Sequence, residues 1–178
     1  MVVDQIRNKL VLEKKSLLHS ELIPHEKVSN RGINQLNNYI GNIHHDIILP
    51  SILICNKTNV IIDGHHRFHV LKSLNIDLIP VSLIDYNSDL ILTNEENSLS
   101  KKEIIDSAKS KNIFPPRTSR HVINFKNHNF PIIIISDDEK IFLIFLEALI
   151  LFIPSILHSV PSVKNCSKQK TCDFIKEN

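Results

Sequence analysis

Asp63-Gly64-His65-His66-Arg67 gathers a carboxylate, two imidazoles, a guanidinium and a glycine in five consecutive positions. A carboxylate there can hold a metal or take a proton, while imidazole and guanidinium N–H groups donate to oxyanions. The apolar run Asn59-Val60-Ile61-Ile62 before it reads as a buried strand, and Phe68, Leu71 and Leu74 after it repeat at near-helical spacing. The five residues therefore fall on a sharp strand-to-helix turn. Gly64 lets the backbone turn and brings amides close to a ligand. The helix that starts there aims free N–H groups and a partial positive charge at its mouth. This pattern predicts an anion site, a cationic cradle suited to phosphate. In the structural alternative, Asp63 caps the helix and Arg67 is its surface partner. The chain has three glycines, none spaced as in a Walker loop or a dinucleotide fingerprint.

A second stretch, Phe114-Pro115-Pro116-Arg117-Thr118-Ser119-Arg120-His121, carries two arginines, two hydroxyls and a histidine behind a double proline. The prolines fix an extended path, so the donors that follow form a candidate second anion-binding wall. A solvated, charged linker is the alternative.

The elements that must position these groups are readable in outline. Residues 1–16 are mixed and predict a short helix or strand, treated as an N-terminal extension. Leu17–Ile23 reads as a strand ended by Pro24, and Ser29 as the N-cap of an amphipathic helix carrying Ile33, Leu36, Ile40 and Ile43. Ile52–Cys55 predicts a strand that pairs as a hairpin with the one before Asp63. Further strands are expected at Leu78–Ile84, Asp89–Thr93 and Pro131–Ile135. Ser100 and Glu103 make a capping box ahead of Ile104, Ile105 and Ala108. Residues 141–157 then run apolar with Glu147 near the centre and Pro154 near the end, a poor membrane span. Three readings of that segment stay open: a buried or homodimer-forming helix, a marginal anchor, or a gene-model artefact.

With 178 residues, 42% hydrophobic and 22% charged, the chain has the length and composition of one globular domain. A net charge of +2 argues against a polybasic nucleic-acid surface. Cys55 sits in an apolar strand as a small core residue, and Cys166 and Cys172 give a weak metal or disulfide signal. A reducing, cytoplasmic setting is the expectation, since Met1–Gln5 lacks a signal-peptide pattern.

Together, the turn, the Phe114–His121 stretch and Leu22-Ile23-Pro24-His25-Glu26 resemble the ParB/sulfiredoxin fold, and within it the ParB-like free L-serine kinases, over residues 17–136. The resemblance implies an α+β (mixed α/β) fold, a small mixed sheet with helices packed around it, followed by an atypical segment at 137–178. It implies phosphoryl transfer from ATP or ADP to free L-serine. By motif position Glu26 is the base, Asp63 a catalytic residue and magnesium ligand, and Gly64, His65, His66 and Arg67 the phosphate cradle. Thr118 and Ser119 would hold phosphate, and Arg120 and His121 the amino-acid substrate. No cysteine lies beside the turn, which disfavours sulfiredoxin itself. Phosphoryl transfer independently asks for such groups: positioned reactants, neutralised oxygens and a carboxylate near the attacking hydroxyl. The competing expectations are a nucleotide-binding DNA-partitioning or nuclease-like protein and an inactive relative, although no basic helix-turn-helix follows the domain.

Overall fold

The structure, a computed structural model, describes residues 2–41, 48–93 and 99–140; the predicted Ile43, the apolar 141–157 run, Cys166 and Cys172 lie outside them. The described chain opens with α1 (Val2–Leu10), β1 (Val11–Leu18) and α2 (Asn30–Gly41). It continues through β2 (Ile48–Pro50), β3 (Ile52–Cys55), β4 (Ile61–Asp63) and α3 (His65–Ser73). Then come β5 (Leu78–Ile84), β6 (Ile91–Thr93), α4 (Lys101–Lys109), β7 (His121–Phe125), β8 (His128–Pro131) and β9 (Asp138–Lys140).

The central sheet has the order β1-β5-β3-β4, with β3 and β5 parallel and the outer pairs antiparallel. All four residues of β3 are buried, as expected of a strand covered on both faces. Leu53 and Cys55 join one apolar cluster with Val60, Tyr86 and Ile123, whereas Ile52 and Ile54 join another with Phe68, Leu71 and Ile79. The expected β3–β4 hairpin, the 78–84 strand and the Ser100 capping box are all present. Ser29 also caps as expected: its Oγ accepts from the Gly32 amide at 3.2 Å and its carbonyl from Ile33 at 3.0 Å.

Three expectations need correcting. Residues 2–16 are not an extension: Ile6 and Leu10 of α1 are fully buried in the core, and β1 pairs along β5 from Val11↔Ile84 to Leu18↔Leu78. The strand expected at 17–23 ends at Leu18, and His19–Glu21 is a 3-10 turn. As an edge strand, β1 leaves Glu13, Lys14 and Lys15 exposed, so backbone pairing holds it without an apolar signature. Ile132–Ile135 is a 3-10 turn instead of a strand, burying Ile132 and Ile135 while Ile133 is 37% exposed. That three-residue repeat suits a helix with three residues per turn. The strand beside it, β8, pairs with β7 across Lys126 and Asn127, both left-handed at φ 52° and 62°, the geometry of a tight hairpin turn.

The end of the described chain is strapped to its beginning. Arg7 donates to the carbonyls of Ile134 and Ser136 at 3.3 and 2.9 Å and pairs with Asp137 at 3.2 Å. Asp137 also pairs with Lys14, and β9 runs antiparallel to β2. Among the described residues, no helix is long and apolar enough to cross a membrane.

Candidate active site

The Asp63–Arg67 turn lies where the sequence predicts, between β4 and α3. Gly64 occupies the N-cap position with φ 104°, a left-handed conformation that favours glycine. A Cβ there would also press on Arg67 and Ile52. Asp63 is not the cap. Its Oδ2 accepts from Arg67 Nη2 at 2.7 Å, across one turn of chain, and the two side chains are 33% and 11% exposed. The pair suggested by the structural alternative thus exists, but set into the fold. Arg67 Nε is buried without a protein partner, a guanidinium donor still to be satisfied. Beside it, the amides of the first turn of α3 have no intrahelical acceptor, as in any α-helix.

Glu26 reaches this turn through the backbone. Residues 25–27 pair in parallel with Phe114: the Phe114 amide donates to the His25 carbonyl and the Lys27 amide to the Phe114 carbonyl, both at 2.9 Å. The pairing fixes the Pro115–Ser119 loop over Glu26. Its Oε1 accepts from the Arg117 amide at 2.5 Å, and its Oε2 from the Ser119 amide at 3.0 Å and the Ser119 hydroxyl at 2.7 Å. Arg117 adopts φ 67°, left-handed for a residue with a side chain, a strain of the sort held at functional sites. Thr118 Oγ1 donates to the Pro115 carbonyl at 2.9 Å, tightening the loop from within. On its other side, the 25–29 segment lies against α3. The His25 amide donates to His65 Nε2 at 3.4 Å and the Ser29 amide to His66 Nε2 at 3.1 Å. Two motifs some fifty residues apart therefore meet around one glutamate.

The cradle is less cationic than its composition suggests. Burial is the main cause that lowers the pKa of His65 well below the ordinary histidine value, with repulsion from His25 and His121 adding to it. Burial likewise lowers His66, against an opposing pull from Glu26, and the Ser29 amide already occupies its Nε2 lone pair. Both rings are thus neutral at pH 7 and act as polar, not charged, groups. Burial also lowers the Arg67 pKa from a starting value so high that the guanidinium stays charged, while Asp63 opposes the shift. Positive charge at the turn comes from Arg67 and the end of α3.

His121, expected to meet the amino-acid substrate, is largely buried and lines the smaller of two clefts. It is 7% exposed, its Nε2 bonds the Tyr86 hydroxyl at 2.8 Å, and burial drives its pKa down to about 3. Arg120, by contrast, is exposed. Two clefts flank Asp63. The larger, about 460 Å³, is walled by the turn and by Gly32, Gln35 and Tyr39 of α2. The smaller, about 320 Å³, is walled by Ser119, Arg120 and His121 and by Pro131 and Ile132. Asp63 and Ile133 line both. Glu26 lines neither and meets the smaller cleft through Ser119.

Sequence reasoning gave His25, Ser29 and Gly32 no part in the site, although Ser29 was read as a helix cap and His25 stood beside Glu26. Gly32 is placed by packing: a Cβ there would run into the His66 imidazole, so only glycine lets α2 approach that ring. A glycine inside a helical pattern was the available signal. Among the described residues no group of three or more His, Cys, Asp or Glu could hold an ion by itself, and Asp63, the single carboxylate expected to share magnesium with phosphates, gives its Oδ2 to Arg67. The unpartnered Arg67 Nε and the first-turn amides of α3 are donors of the kind an anion takes.

No protein-family model matches the chain. A curated ParB-like protein from Sulfolobus acidocaldarius is 34% identical over 79 residues, 44% of this chain and 38% of that protein. The chain thus spans well under half of that relative's length. A solved glutamate-to-glutamine variant of a free serine kinase, in complex with AMP, superposes with TM-score 0.56 at 12% identity. A glutamate-to-alanine variant with ADP gives 0.53 at 12%, and the unsubstituted kinase with AMP 0.52 at 13%. Each alignment covers 68% of this chain and 92% of the kinase. The chain has the ParB-like free serine kinase fold.

Proposed function

We propose that this protein is a kinase that transfers a phosphoryl group from ATP or ADP to free L-serine, giving O-phospho-L-serine. The observation that carries the reading is the convergence on Glu26. The loop that binds its carboxylate and the α3 turn that offers an anion site come together on either side of it. The nucleotide phosphates, entering with magnesium, lie against the amides at Gly64–His66, the neutral His66 ring and the spare Arg67 donor. The Thr118–Ser119 loop closes the opposite side. Exposed Arg120 takes the carboxylate of serine, and buried His121 forms the wall behind it.

Glu26 is the base. Each carboxylate oxygen can accept about two hydrogen bonds, and Oε1 has one amide donor, which leaves a lone pair for the serine hydroxyl proton. As that proton passes to Glu26, the hydroxyl oxygen attacks phosphorus and the bond to the nucleotide oxygen breaks. Chemistry of this kind is accelerated mainly by positioning and charge neutralisation. Incubating the full chain with L-serine, magnesium and either donor, then detecting phosphoserine by mass spectrometry, tests it. Product with one donor supports the reading; folded protein that makes none with either overturns it.

A further inference from the structure

Ser119 stands out among the hydroxyls of the described chain. Its Oγ lies 2.5 Å from His25 Nε2 and 2.7 Å from Glu26 Oε2, so its single proton has two acceptors within hydrogen-bond reach. The His25 ring is oriented for that role. Its Nδ1 lies 2.6 Å from the Ile61 carbonyl, which only accepts, so Nδ1 carries the ring proton and Nε2 turns its lone pair to Ser119. His25 itself is fully buried, with its ring edge-on to His65 at 4.5 Å and to His121 at 6.0 Å. A hydroxyl held by a base, with the base fixed by a third group, is the arrangement of an activated nucleophile. Ser119 also lines the smaller cleft together with Asp63, whose other side borders the phosphate-binding turn.

Moreover, Glu26 Oε2 receives both the Oγ–H and the backbone N–H of Ser119. The base assigned to free serine thus already holds the hydroxyl and nitrogen of a serine belonging to the chain.

From this geometry we propose that Ser119 is a phosphoryl acceptor, modified by the protein's own nucleotide-dependent activity. The inference rests on the kinase reading above. Oγ attacks the terminal phosphorus of the bound nucleoside polyphosphate, an Oγ–P bond forms and the P–O bond to the nucleotide breaks. The Oγ proton passes to Glu26 Oε2 or His25 Nε2, and the nucleotide leaves with one phosphate fewer. The phosphoserine formed would face the Glu26 carboxylate, so the modification also displaces the serine hydroxyl from the base and changes how that base meets free substrate.

The test uses the full chain purified from a phosphatase-treated preparation and incubated with magnesium and ATP, or ADP, without added serine. Peptide mass spectrometry then locates any gain of about 80 Da, the mass of one phosphoryl group. Expected is a single phosphate on the peptide containing Ser119. It should disappear in Ser119→Ala, reappear as phosphothreonine in Ser119→Thr, and form at least tenfold more slowly in Glu26→Gln. A parallel reaction with free L-serine separates the two readings. Free phosphoserine formed while Ser119 stays unmodified overturns the inference and leaves the kinase reading standing. No phosphate on either acceptor overturns both, and phosphate spread over other hydroxyls with none on Ser119 overturns the inference alone. The wild-type chain decides the matter even if a variant fails to fold.

Discussion

At the level of single side chains, Glu26 has two duties that can be separated. Its carboxylate ties down the Arg117–Ser119 loop through two amides and a hydroxyl, and it is the proposed proton acceptor. Glu26→Gln keeps one carbonyl oxygen for the loop but removes the basic lone pairs. Turnover of serine should fall by about 100- to 10,000-fold, the usual contribution of a general base. Nucleotide affinity, read by equilibrium binding of a fluorescent analogue, should change by less than about threefold. Full turnover in the variant would reject the role. Asp63 is the complementary case. Asp63→Asn strips the Arg67 guanidinium of its counter-charge, and Arg67 is 11% exposed. Breaking a fully buried pair costs about 3–5 kcal/mol. With Asp63 33% exposed, solvent takes up part of that loss. A cost of about 1–3 kcal/mol in urea denaturation is therefore expected, and a variant as stable as wild type would show that the pair is incidental.

Among the elements, the contact between α2 and α3 decides how the turn is presented. Gly32 lets the helix come close enough for Ser29 to hold His66 by its backbone amide. Gly32→Ala would push the imidazole aside, an overpacking cost of about 1–3 kcal/mol. Calorimetry should find nucleotide binding weakened about tenfold in a chain whose circular dichroism is native; unchanged affinity would place His66 outside the site. This contact also marks how far the sequence could be read. The strand-turn-helix around Gly64 was legible because local chemistry dictates it: an apolar run, a residue free to turn left-handed, then helical spacing. So were the Ser29 and Ser100 caps. β1 was not, because an edge strand held by pairing with β5 needs no apolar alternation. Nor was the charge of the cradle: His65 and His66 look cationic in a list of residues, but tertiary burial makes them neutral. Glu26 was placed by family resemblance, whereas its partner His25 became visible only once β4 and the Ser119 loop had closed on it.

For the whole molecule, the buried imidazoles link folding to pH. His25, His65 and His121 sit together behind the site, their rings 4.5 and 6.0 Å apart about His25, and Tyr86 closes the cluster through its bond to His121. Burial lowers all three pKa values below 6.5, His121 to about 3. In the unfolded chain each titrates near 6.5. Between these values the unfolded state binds more protons, so unfolding free energy rises with pH across the window. Stability from this cluster is therefore fully present above about pH 6.5 and is lost as pH falls toward the folded-state values. Each such histidine adds a slope of up to about 1.4 kcal/mol per pH unit. Most ordinary carboxylates titrate below this range, at about 3.9 and 4.3, so pH 6.5 to 5 isolates the histidine contribution. Urea midpoints taken through that interval should drop steadily with acidification. His121→Gln, which keeps a polar group near Tyr86 but cannot titrate, should flatten the slope by up to about 1.4 kcal/mol per unit, even if the variant is less stable at pH 7. A wild-type midpoint that stays constant from pH 6.5 to 5 would mean that the rings are solvated enough to charge within the fold, and the neutral cluster behind Glu26 would have to be given up.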